Sequence, residues 1–113
     1  MTIEEIIDIQ MHAFNNRSIE EMMPLYTDDV KIYNFSDHQL TVDGKENCEE
    51  MFSKLFEQSP NLYAEIIKTI FFDTKAIVHE YVSGRNGDDI KKEQVVIFEI
   101  QNQKISRMDI MRS

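Results

Sequence analysis

The dominant period of apolar and polar residues changes close to Pro60. Before it, apolar residues recur mostly at spacings of three and four, the period of a helix face, with one alternating run between the helices; after it, they follow the two-residue period of strands. Thr2-Ile3-Glu4-Glu5 has the form of a capping box, so a helix is expected to start there, with Ile3, Ile6, Ile7, Gln10, Ala13 and Phe14 as its core-facing stripe. Asn15-Asn16-Arg17 interrupts it, and Ser18-Ile19-Glu20-Glu21 repeats the box. This second helix must be short, because Pro24 removes a backbone donor and clashes with the preceding turn. Val30-Lys31-Ile32-Tyr33-Asn34-Phe35 alternates and is β-branched and aromatic, which predicts a first strand with Val30, Ile32 and Asn34 on one face. A short extended piece, Leu40–Val42, follows. Asp43-Gly44-Lys45-Glu46 then opens a third helix, with Asp43 as the expected cap acceptor and Cys48, Met51, Phe52, Leu55 and Phe56 as its stripe.

Beyond Pro60 four strands are expected, Leu62–Phe72, Lys75–Ser83, Ile90–Ile100 and Lys104–Arg112. Short reversals at Asp73-Thr74 and Gln101-Asn102-Gln103 and the longer loop Gly84–Asp89 join them as an antiparallel meander. Three helices ahead of a sheet is an α+β plan, and 113 residues with 42% hydrophobic and 29% charged side chains suit one domain spanning 1–113. Lys68 has the parity of Leu62, Ala64, Ile66 and Ile70; it either snorkels at a rim or marks a bulge.

Both faces of the sheet carry apolar side chains. Val96, Phe98 and Ile100 alternate with Val95 and Ile97, and Val78 and Val82 oppose Ile77 and Tyr81. Three helices cover one face only, so the other predicts a homodimer through Val78, Val82, Val95 and Ile97.

Charge removes several classes of function. The net charge is −9, and residues 1–60 hold 13 acidic and 4 basic side chains whereas 61–113 hold 8 of each. Neither nucleic acid nor an anionic membrane suits such a surface, since both need clustered Lys and Arg. Cys48 is the only cysteine, so no intrachain disulfide forms; with no leader-like start and no apolar run of bilayer length, a cytoplasmic location is expected. On its apolar stripe Cys48 reads as a small core residue, and His38 as a solvated loop residue. His12, His38 and His79 lack paired ligand spacing, so no metal is expected. No phosphate-binding glycine loop or nucleophile elbow occurs, and no cofactor is expected.

Several stretches carry a resemblance: Phe14-Asn15-Asn16-Arg17-Ser18, Leu25-Tyr26-Thr27-Asp28-Asp29-Val30, Asp43-Gly44-Lys45-Glu46, Val78 to Arg85, Ile97 to Ile100, and Gln103-Lys104-Ile105. In that order the chain resembles the nuclear transport factor 2-like superfamily, in its SnoaL-like and ketosteroid-isomerase-like branch, over essentially its whole length. The resemblance implies a curved, cystatin-like sheet wrapped around the helices into a cone, an open end forming a pocket, and a dimer through the outer sheet face. In the isomerase branch a Tyr and two acids enolise the substrate; the matching positions here are Gln10, Asn34 and Val96, which cannot do that chemistry.

Those matches imply a pocket lined by Gln10, Phe14, Ile32, Asn34, Val96 and Phe98, with Phe52, Phe56 and Met108 completing it. Adjacent strand residues point to opposite faces, so His79 and Glu80 cannot both face inward. Matched registers put His79 and Tyr81 inward and Glu80 and Val82 outward; a one-residue slip would exchange them. Two classes of function follow. One is a non-catalytic module that binds a small apolar molecule or a protein partner in the cone. The other is an isomerase, cyclase or hydrolase acting on a carbonyl or ring compound, with His79 as acid/base and Asn34, Gln10 and Tyr81 orienting the substrate.

Overall fold

A computed structural model describes residues Met1–Ser113. Its elements are α1 (Ile3–Asn15), α2 (Ile19–Met22) with a 3₁₀ turn (Met23–Leu25), β1 (Tyr26–Asn34), β2 (Gln39–Asp43), α3 (Lys45–Gln58), β3 (Tyr63–Phe72), β4 (Lys75–Ser83), β5 (Lys92–Gln101) and β6 (Lys104–Arg112).

The helix starts are made by the expected side chains in two cases of three. At α1 the Glu5 backbone N–H donates to Thr2 Oγ1 at 3.2 Å, and the Thr2 N–H donates to Glu5 Oε1 at 2.9 Å. At α2 half of the box forms, the Glu21 N–H donating to Ser18 Oγ. Pro24 sits inside the 3₁₀ turn that ends this segment, as its missing donor requires. At α3 the cap expectation is corrected: the N-cap is Gly44 at φ +89, without a side-chain bond. Asp43 Oδ1 instead accepts from Lys31 Nζ at 3.0 Å.

The six strands form one mixed, unclosed sheet in the order β2-β1-β6-β5-β4-β3. β3 to β6 are the expected meander. β1 joins it beside β6, in parallel, a long-range pairing that no local pattern announces. Asp73 at φ 56, and Asn102 and Gln103 at φ 53 and 62, occupy the left-handed conformations that two-residue hairpins need. Between Ile66 and Lys68 the register slips by one, so Lys68 marks a bulge and lies opposite His79.

The sheet curls around α1 and α3, and its concave face holds the core in cross-strand rows. In one row Ala76, Phe98, Met108 and Ile32 stand side by side; in the next, Val78, Val96, Ile110 and Asn34. Val78 and Val82 therefore point inward and are essentially buried, which corrects the expectation that they belong to the outer face. The pairing of Val78 with Val96 decides this, because directly opposed residues of an antiparallel pair share a face. The same pairing corrects His79 and Tyr81, which point outward, and Glu80, which points inward. No helix is long and apolar enough to cross a membrane.

Candidate functional site

The third concave row is polar. Glu80 on β4, Gln94 on β5 and Arg112 on β6 stand directly opposite one another at the open end of the sheet. Gln94 Nε2 donates to Glu80 Oε2 at 2.6 Å, and Glu80 is 4% exposed. Burial pushes the Glu80 carboxyl above its ordinary range; the Gln94 amide and the nearby Arg85 charge pull the other way without cancelling it.

Arg85 comes from the loop after β4, and the chain holds it on both sides. At Gly84, φ +82, an added Cβ would lie 2.3 Å from the Asn61 carbonyl oxygen, so only glycine fits this approach. On the other side the Asn86 N–H donates to Ser59 Oγ at 2.7 Å, and Ser59 is wholly buried at the end of α3. Burial lowers the Arg85 pKa from its ordinary value, the Arg112 charge lowers it further, and Glu80 opposes both.

Below this row lies a cavity of about 60 Å³. Gln10, Met11 and Phe14 of α1 form one wall, Met51, Phe52 and Leu55 of α3 another, and Val96, Phe98, Met108 and Ile110 of the sheet the floor, while Glu80, Gln94, Arg85 and Arg112 close one end. The space suffices for a few waters or a compact apolar group, and three methionine walls can shift to enlarge it. Gln10 is not free for a ligand through its oxygen, because Tyr26 Oη donates to Gln10 Oε1 at 2.8 Å in the core.

Of the residues expected to line a pocket, the cavity brings together Gln10, Phe14, Phe52, Val96, Phe98 and Met108. Phe56 packs behind them, edge-on to Phe14 at 5.8 Å. Ile32 and Asn34 face the concave side but belong to a neighbouring cleft with Thr41 and Val42, where the Asn34 amide donates to Asp37 Oδ1. His79 is on the convex face, its Nε2 2.6 Å from Glu93 Oε2, with Tyr81 beside it. His79 and Asn34 therefore do not converge on one volume. The residues that sequence reasoning missed are Gln94, Arg85 and Arg112, and Glu80 was turned the wrong way. A signal for Glu80 existed: Ala76, Val78 and Val82 share its parity and are uniformly apolar, whereas Ile77, His79 and Tyr81 are mixed.

The SnoaL-like domain family matches residues 9–108, nearly the whole of this architecture. The chain belongs to that family. No curated protein matches this SnoaL-like chain. Among solved structures it is similar to an uncharacterized cystatin-fold protein of Novosphingobium aromaticivorans, at 21% identity and a TM-score of 0.90, with 99% of each chain covered. It is also similar to an NTF2-like protein of unknown function from Cytophaga hutchinsonii, at 11% identity and a TM-score of 0.82, covering 100% of this chain and 91% of that one. A third is an LEH-like epoxide hydrolase of M. tuberculosis, at 9% identity and a TM-score of 0.83, covering 96% and 80%. At these identities the likeness establishes the α+β cone shared by SnoaL-like proteins.

Proposed function

We propose that this SnoaL-like protein binds a small, largely apolar molecule between α1, α3 and the concave sheet face. The observation that carries this reading is an apolar cavity closed at one end by the polar row Glu80, Gln94 and Arg112. Such a site gives a ligand burial for its body and a fixed direction for its polar end. Small molecules extracted from the purified protein and from a cavity-filled Val96→Phe variant provide the test. A species present with the native protein and depleted from the folded variant is expected; equal recovery from both would contradict the reading.

A second reading is favoured by Glu80 itself. A buried carboxyl with a raised pKa, facing an apolar cavity, suits acid/base work on a neutral substrate, and in this role it replaces His79. One structural relative is called an epoxide hydrolase, so styrene oxide is a fitting probe. Hydrolysis by the native chain that disappears in Glu80→Gln but survives in His79→Ala would support catalysis. Loss in His79→Ala alone would oppose it.

We also propose a homodimer through the convex face, with a revised residue set. Ile70, Ile77, Val95 and Ile97 form an apolar strip there. The ion pairs Lys75–Glu99 and His79–Glu93 flank it. A strip of this kind, rimmed by charge, suits a self-complementary contact.

A further inference from the structure

Arg85 and Arg112 raise a question of charge that the proposed cavity does not answer. The chain has four arginines. Arg17 donates to the Asn15 and Leu62 carbonyls, and Arg107 makes a two-point contact with Asp109. The ion pairs of the molecule include neither Arg85 nor Arg112. Yet these two guanidiniums line the end of the same cavity and its mouth, close enough to repel one another.

In a chain of net charge −9, two arginines brought together beside a single buried carboxyl, Glu80, form a local positive site in an acidic shell. The other charged groups at the mouth are occupied elsewhere. Asp88 faces Lys92 at 3.9 Å and accepts from the Ile90 N–H, and Glu93 is turned to His79 on the convex side. Glu80 acts on Arg85 through its charge, but its Oε2 is bonded by Gln94 and it forms no ion pair with either arginine, so two guanidiniums against one carboxyl leave this end net positive. The backbone that carries Arg85 is fixed by Gly84 and by the Ser59 bond, so the base of its side chain is held at the cavity end without a ligand to order the loop.

We infer that the cavity's ligand is an amphiphilic monoanion, a carboxylate on a compact apolar body, whose head docks between Arg85 and Arg112 while the body enters between Met11, Phe14, Phe52 and Met108. The inference rests on the reading of the cavity as a ligand site and adds the ligand's charge. A planar carboxylate matches the fork of a guanidinium, and at a partly buried mouth such a pair is screened less than on the surface.

Isosteric acid and amide pairs separate the two claims. Binding of benzoate and benzamide, and of hexanoate and hexanamide, would be measured by calorimetry and NMR for the native protein and for Arg85→Gln and Arg112→Gln, each checked for an unchanged melting curve. The acids are expected to bind at least about tenfold more tightly than the amides, and each substitution to weaken the acids about tenfold while leaving the amides within about twofold. Equal affinity for acid and amide, or a preference for the amide, would overturn the anionic head while leaving the cavity reading intact. Failure of all four compounds to bind would overturn both. Should either single variant not fold, added salt on the native protein serves instead: acid binding must weaken with ionic strength and amide binding must not.

Discussion

Gln94 donates a 2.6 Å hydrogen bond to Glu80 across the β4–β5 pair, in a site from which solvent is nearly excluded. It is the one side-chain hydrogen bond made to this buried acid, and the Arg85 charge adds to its effect. Replacing the amide in Gln94→Leu removes the donor and leaves the carboxyl in place. We expect a loss of about 1–3 kcal/mol in chemical denaturation at pH 8, shrinking toward acid where the carboxyl is protonated. A loss of the same size at every pH would mean that the hydrogen bond is not what Leu removes.

The pH dependence of the native protein follows from the same residue. Burial raises the Glu80 pKa above the value it has when unfolded, so its contribution to stability is fully present below the unfolded value and is lost as pH rises through the folded one. Glu5 works in the opposite direction. The Thr2 backbone N–H, and then its hydroxyl, hold the Glu5 carboxyl below its ordinary range, so its contribution is present above the unfolded value and is lost as pH falls. Glu80→Gln should therefore flatten the decline of the melting temperature on the alkaline side and leave the acid side unchanged. Thermal melts of both proteins from pH 4 to 9 check this.

These two acids mark where the sequence could be read and where it could not. Glu5 lies in a capping box, a local motif whose partners are three residues apart, and it was legible as such. The helix stripes, the two tight hairpins and the change of period at Pro60 were legible for the same reason, and together they gave the α+β order. Glu80 was not. On β4 Ala76, Val78 and Val82 are the more uniformly apolar parity, but Ile77 and Tyr81 blur the alternation, and the opposition of Val78 to Val96 settles it. Arg85 sits in a loop without period, and Arg112 reaches the site only because β6 ends opposite Gln94. At α3 Gly44 is the N-cap in place of the expected Asp43, and the parallel pairing between β1 and β6 is a long-range contact that no local pattern announces.

Gly84→Ala tests the mounting of Arg85. The added methyl would strike the Asn61 carbonyl, and the residue would have to hold a positive φ that alanine disfavours. A destabilisation of more than about 1 kcal/mol is expected, with NMR shifts concentrated at Asn61, Ser59 and Asn86. A silent substitution would show that the loop moves away at little cost.

Cys48 should be inert. It is wholly buried on α3, and burial pushes its thiol up to about 12. Iodoacetamide at pH 8 should leave it unmodified in the folded protein and alkylate it in denaturant, as read by intact mass. Rapid labelling of the native chain would mean that α3 opens readily.

Ile97→Glu addresses the convex face. A charge in the middle of the strip Ile70, Ile77, Val95 and Ile97 should convert a dimer to monomers in sedimentation without lowering the melting temperature of the monomer. An unmodified chain that sediments as a monomer at tens of micromolar would remove the proposed interface.

The proposed ligand site is the concave cavity rather than the convex face that bears His79. Carbon-13 labelling of the methionine methyl groups reads this directly, because Met11, Met51 and Met108 line the cavity and Met111 lies on the convex side of β6 opposite Val95. Titration with benzoate should move the first three signals and leave Met111 where it is. Movement of Met111 alone, or of none of them at millimolar benzoate, benzamide, hexanoate or hexanamide, would contradict the cavity site.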